Sequence, residues 1–120
     1  MKKPRFINGA EAAEMISDNS TIATIGMTLV SASETILKAV EHRFLTEGSP
    51  KNLTLVHSCG QSDRDRGIQH FAHEGMLHRI IGGHWGLQPK MMELISENKN
   101  LGLLYPSGAV CAAIPFYGRR

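Results

Sequence analysis

Six histidines, two cysteines and one serine turn are the residues of this 120-residue sequence whose types invite chemistry. His70, His73 and His78 lie close together, and imidazole is the commonest biological metal ligand. A zinc centre needs three or four ligands converging on one point. The run His70-Phe71-Ala72-His73 is neither His-Glu-x-x-His nor a Cys/His finger, so no metal site is expected. Pro106-Ser107-Gly108 is the nearest approach to a nucleophile turn, but it lacks the Gly-x-Ser-x-Gly elbow of a Ser-His-Asp hydrolase and nothing designates a base for it. Cys59 and Cys111 are too few and too far apart for a disulfide scaffold or a Cys-x-x-Cys redox pair, and read as reduced thiols.

Two glycine-bearing segments hold more promise. Gly26-Met27-Thr28-Leu29-Val30-Ser31 lies between a short β-branched run and a helical pattern, where backbone N–H groups and a helix amino end could meet an anion. Gly82-Gly83-His84-Trp85-Gly86 sets the sole tryptophan among glycines, which let backbone come close to a ligand or to a neighbouring element with Trp85 as a core plug.

The elements that must position these segments follow from periodicity. Asn8 and Glu11, three apart ahead of Ala12, Ala13, Met15 and Ile16, predict a capped helix ending near Asn19. Thr21 to Ile25 reads as a strand. Ser31 and Glu34 form a second capping pair before Ile36, Leu37, Val40 and Phe44, and Gly48-Ser49-Pro50 stops that helix. Leu53 to His57 is the next strand, followed by the charged loop Ser62 to Gly67, which reads as solvated. Ile68 to His73 predicts a helical turn, Leu77 to Ile81 a strand, Pro89 onward a helix, and Leu101 to Tyr105 a last strand. Alternating strands and helices argue for one α/β domain of Rossmann-like type, a parallel sheet with helices on both faces. Ligands then gather at the carboxyl ends of the strands, namely at Gly26 to Ser31, Ser58 to Gly60, Gly82 to Gly86 and Pro106 to Gly108.

Composition narrows the classes further. Thirteen Lys and Arg against eleven Asp and Glu leave a formal charge of +2, with the basic residues scattered, so no nucleic-acid footprint is indicated. No apolar run has the length of a signal peptide or a membrane span, and a cytoplasmic protein is expected.

With the segments placed, the chain resembles family I coenzyme A transferases, the acetate/3-ketoacid and propionate type. The resemblance rests on colinear pieces: Glu11-Ala12-Ala13, the Thr21 to Gly26 strand and turn, Pro50-Lys51-Asn52-Leu53-Thr54-Leu55, Asp65-Arg66-Gly67 and Gly82-Gly83-His84-Trp85-Gly86-Leu87-x-Pro89. Glu93-Leu94-Ile95, Asn98-Lys99 and Tyr105-Pro106-x-Gly108 continue it. It implies the CoA-transferase/NagB-RpiA-like version of the fold, truncated, with residues 1–120 as a partial amino-terminal domain and 109–120 as a tail outside the family pattern.

It also implies an enzyme that moves CoA from an acyl-CoA to a short-chain carboxylate, with CoA as substrate and no tightly bound cofactor. In the family a glutamate attacks the thioester, forms a mixed anhydride, becomes a glutamyl-CoA thioester and is released by the acceptor acid. That glutamate belongs to the carboxy-terminal half of the pattern, so no catalytic residue is expected here and the chain alone should be inactive. The substrate-binding positions that the resemblance implies are Gly26, Met27, Thr28, His84, Ser107 and Gly108. Two departures stand out. The first turn keeps only Gly26 where the family has several glycines, and Ser107 replaces the usual Gln of a Pro-Gln-Gly turn. Expected partners are an acyl-CoA and a short-chain carboxylate, with either a homo-oligomer or a separate carboxy-terminal half. Two other readings remain: a non-catalytic interaction module, and an isomerase or deaminase of the related sugar-phosphate folds. The latter needs a carboxylate and a base in the loops after the strands, which the Gly26 loop lacks.

Overall fold

Helix α1 (Gly9–Glu14) begins where the spacing puts it, through a reciprocal cap in a computed structural model that describes residues 3–105. The Asn8 side chain accepts from the Glu11 amide at 2.9 Å and the Glu11 carboxylate accepts from the Asn8 amide at 2.8 Å. The helix is shorter than predicted. Asp18 then accepts from the Ser49 hydroxyl at 2.7 Å and the Lys51 amide at 3.0 Å, tying the chain after α1 to the chain after the second helix.

The strands are β1 (Thr21–Thr24), β2 (Leu53–His57), β3 (Leu77–Gly82) and β4 (Leu101–Leu104), all parallel and in the order β1-β2-β3-β4. Between them lie α2 (Glu34–Glu47), a 3-10 helix (Gly67–Phe71) and α3 (Pro89–Ser96), the last opened by Pro89 in its first turn. The expected parallel α/β architecture is present, with the described helices packed on one face of the sheet and not on both. A sheet that advances in one direction with crossovers of one hand puts its connections on one face. Accordingly Ala13 of α1, Leu37 and Val40 of α2, Phe71 of the 3-10 helix and Met91 of α3 join Leu53, Leu55 and Ile80 of the sheet in a single core. Each such aliphatic side chain, fully buried, stabilises the fold by roughly 1.5–3 kcal/mol relative to exposure. Val56 and Ile81, with Leu103 packed beside them, form a separate small cluster from the alternate residues of the strands.

The second predicted cap is not formed. Ser33, not Ser31, precedes α2, and its side chain makes no capping bond. The reason is long-range: the Glu34 carboxylate accepts from the Gly67 amide at 3.0 Å and faces His70 Nε2 at 2.7 Å. His70 Nδ1 faces Glu41 at 2.6 Å, and His73 Nε2 faces the other oxygen of Glu41 at 2.7 Å. Both ring nitrogens of His70 thus face carboxylate oxygens, and the 3-10 helix is pinned to α2 by this relay. Burial alone would raise the Glu34 carboxyl, but the bonds from His70 and the Gly67 amide outweigh it and hold it below the usual range. The charged loop is likewise ordered. Asp63 accepts from the Arg66 amide at 2.8 Å and from the Arg66 guanidinium at 2.9 and 2.7 Å, which holds its carboxyl down to about 2.

Candidate functional site

The last residues of neighbouring strands stand side by side, Thr24 beside His57, His57 beside Gly82 and Gly82 beside Leu104. His57 is fully buried. Its Nδ1 lies 2.8 Å from the Cys59 carbonyl oxygen, which can only accept, so the proton sits on Nδ1 and Nε2 is left bare. Burial pushes its pKa down, the Cys59 carbonyl works against that, and the nearby His84 adds a smaller lowering effect. Nε2 has no partner, and neither do Thr24 Oγ1, Gln61 Oε1 and Trp85 Nε1, all buried in this region.

Gly82 makes room for this packing. A Cβ there would run into the His57 imidazole and come within 2.6 Å of Trp85 Nε1; one on Gly102 would come within 2.7 Å of Trp85 Cη2. The indole thus lies against two glycines of β3 and β4. Trp85 packs against the main core, in keeping with the core-plug reading of Gly82 to Gly86.

The loops after β1, β2 and β3 are laced together. The Thr28 amide donates to the Gly60 carbonyl at 2.7 Å, and the Met27 and Val30 backbones bond each other across a tight turn at 3.2 and 2.9 Å. Gly26 has φ 149°, a conformation reserved for glycine, and the space where its side chain would be holds the Val30 carbonyl at 2.6 Å and Gln61 Nε2 at 2.8 Å. With its amide oriented to suit its neighbours, Gln88 donates to the Trp85 and His84 carbonyls at 3.2 and 3.0 Å and accepts from the Gln61 amide at 3.2 Å. Gly60 is the meeting point, because its missing side chain leaves room for His84 Nδ1, 2.9 Å from where a Cβ would lie.

Among the expected site residues, Gly26, Met27, Thr28 and His84 therefore gather at the carboxyl ends of the strands, joined through Gly60 and Gln61. Ser107 and Gly108, and the 109–120 tail, lie outside the described residues. Sequence reasoning missed His57, Gln61 and Gln88. Polar residues at strand ends and in loops carry no periodic signal, and only the burial shows that they hold the loops. The three loops contain neutral donors and acceptors and no carboxylate or Lys/Arg side chain from Gly26 to Ser31, Ser58 to Gln61 or Gly83 to Gln88. Such a surface can orient a polar substrate but supplies no carboxylate nucleophile. The described glutamates that make side-chain contacts are engaged elsewhere, Glu11 at its cap, Glu34 and Glu41 with the histidines, Glu47 with Arg43 and Glu74 with Lys99. Among the described residues no cluster of three or more His, Cys, Asp or Glu is arranged to hold a metal, and no helix is long and apolar enough to cross a membrane.

No family model matches the sequence. Acetate CoA-transferase YdiF of Escherichia coli K12 is 32% identical over 117 residues, a stretch that covers 90% of this chain and 22% of that protein. This sequence is related to the CoA-transferases. Caffeate CoA-transferase of Acetobacterium woodii is 31% identical over 107 residues, covering 88% of this chain and 20% of its own length. Among solved CoA-transferases, E. coli O157:H7 YdiF superposes as an apoenzyme with TM-score 0.80 at 30% identity and as a thioester complex with CoA with TM-score 0.79 at 31% identity. The two superpositions cover 90% and 85% of this chain and 22% and 21% of those chains. The chain spans about a fifth of the length of the curated relatives it matches.

Proposed function

We propose that residues 1–120 supply the amino-terminal part of an acyl-CoA:carboxylate CoA-transferase that moves CoA between short-chain acids, and that this part does not turn over alone. The observation that carries the reading is the similarity to CoA-transferases along nine-tenths of the chain, in sequence and in fold, over only a fifth of theirs. The loops after β1 and β3 form one wall of the substrate site, with Gly26, Met27, Thr28 and the exposed ring of His84 lining it. Ser107 and Gly108 hold the carboxyl group, and residues 109–120 form a tail outside the family domain. The nucleophilic glutamate comes from the part of the enzyme that this chain does not span, which agrees with the lack of any carboxylate in the three loops. CoA enters as substrate.

Purified 1–120, mixed with acetyl-CoA and a short-chain acid, is expected to release no new acyl-CoA above the buffer rate. Turnover that survives repurification would overturn the proposal that the nucleophile lies elsewhere.

A further inference from the structure

Beside the loop that carries His84, an apolar cavity of about 460 Å³ opens between α3 and the ends of β3 and β4. A glycine shapes it. A Cβ on Gly102 would lie 2.7 Å from Trp85 Cη2 and 2.9 Å from Ile95 Cδ1, so only the missing side chain lets the indole and Ile95 settle against β4. Met92 and Ile95, three apart on α3, share the lining with Trp85 and with Leu104 at the end of β4. Met92 is 47% exposed and Leu104 62%. Ser96 is the one hydroxyl on the lining, and its Oγ lies 2.9 Å from the Met92 carbonyl and 2.9 Å from that of Glu93, so its proton is engaged within the helix. Among the described residues that line the cavity none is Lys, Arg, Asp or Glu, and the exposed His84 ring is the only ionisable group. Gly83, His84 and Gly86 belong both to this cavity and to the loop after β3, so the apolar chamber is continuous with the polar strand ends. A concave apolar space of this size, bordered by a few polar groups, suits a small ligand with a hydrocarbon tail and a polar head.

We infer that this cavity holds the hydrocarbon chain of the acid or acyl group whose carboxyl end lies at the loops after the strands, and that Met92 and Leu104 favour longer chains by covering them. The inference rests on the functional reading above and gives it a substrate class, unbranched aliphatic acids longer than acetate. Two carbons leave the apolar lining unused, whereas each further methylene moves from water onto Trp85, Met92, Ile95 and Leu104.

Trp85 lines the cavity and is the only tryptophan, so its emission reports occupancy. Titrating the 120-residue chain with acetate, butanoate and hexanoate is expected to shift that emission saturably, with a Kd that falls about fourfold for each added methylene. Met92→Gln and Leu104→Gln alter exposed positions, so each should melt within about 2 °C of the parent while cutting the step to about twofold or less. Leu45→Gln, on α2 and as exposed as Leu104, should leave the series unchanged. No saturable shift, a Kd indifferent to chain length, or Gln variants that keep the full step would overturn the inference. So would an emission shift in Ile114→Asp with no acid present, which would make the 109–114 segment of this chain the occupant. If the chain shows the series in binding but a chimera in which it replaces the matched segment of E. coli YdiF transfers no CoA, the cavity stands and the functional reading falls. CoA transfer by that chimera with equal kcat/KM for acetate and hexanoate would do the reverse.

Discussion

Replacing Gly82 with alanine puts a methyl group where two rings already meet. The new Cβ would collide with the His57 imidazole and lie 2.6 Å from Trp85 Nε1. Neither ring can swing away cheaply. His57 is fully buried and held through Nδ1 to the Cys59 carbonyl at 2.8 Å, and the indole is wedged against Gly102 by its other end. Overpacking of this kind costs about 1–3 kcal/mol, which for a chain of this size lowers the melting temperature by roughly 5–15 °C. Gly86→Ala serves as the control. Its Cβ would meet only the exposed His84 ring at 2.9 Å, which is free to turn, so its melting point should stay within about 2 °C of the parent. Thermal melts followed by circular dichroism give the stabilities. Trp85 is the only tryptophan, so its emission reports the seat directly and should shift in Gly82→Ala alone. A Gly82→Ala protein that melts with the parent and keeps its emission would show that the indole does not occupy the notch between β3 and β4.

Other outcomes follow from the same contacts. His70→Ala leaves the Glu34 and Glu41 carboxylates without their shared donor and should destabilise the chain by about 1–3 kcal/mol in urea denaturation, less than for a fully buried pair because both carboxylates are partly exposed. Asp63 is held at about 2 by Arg66, so its contribution is complete above the ordinary value of 3.8 and disappears as pH falls toward about 2. Asp63→Ala should therefore speed proteolysis of the 62–67 loop at neutral pH, and amide exchange there should match the parent near pH 2. In a chimera that carries these 120 residues in place of the matched segment of E. coli YdiF, Ser107→Gln is expected to raise kcat/KM for a small acceptor acid by about threefold to a hundredfold, the worth of one regained hydrogen bond, neutral at the low end and to a charged carboxylate at the high end. A loss of stability without that gain would make Ser107 a helix cap instead.

Local signals were legible in the sequence where local contacts decide the structure. The Asn8 and Glu11 cap closes over three residues, and β2 occupies the predicted Leu53–His57 because a run of strand-forming apolar residues there is buried. Pro89 opened α3 as expected. The misreading at Ser31 has the opposite cause, since Glu34 is claimed by Gly67 and His70 from 33 and 36 residues away. The same holds for the site. The glycines of the two loops could be recognised, but not that Gln61 and His57 fill the space beside them, because those partners come from distant parts of the chain.

The most direct measurement is CoA transfer from acetyl-CoA to a short-chain acid by the chimera that carries these 120 residues in place of the matched segment of E. coli YdiF. Transfer above the buffer rate, absent from the 120-residue chain alone, is the expected result. A soluble, folded chimera that transfers no CoA would contradict the claim that this chain supplies a working part of a CoA-transferase.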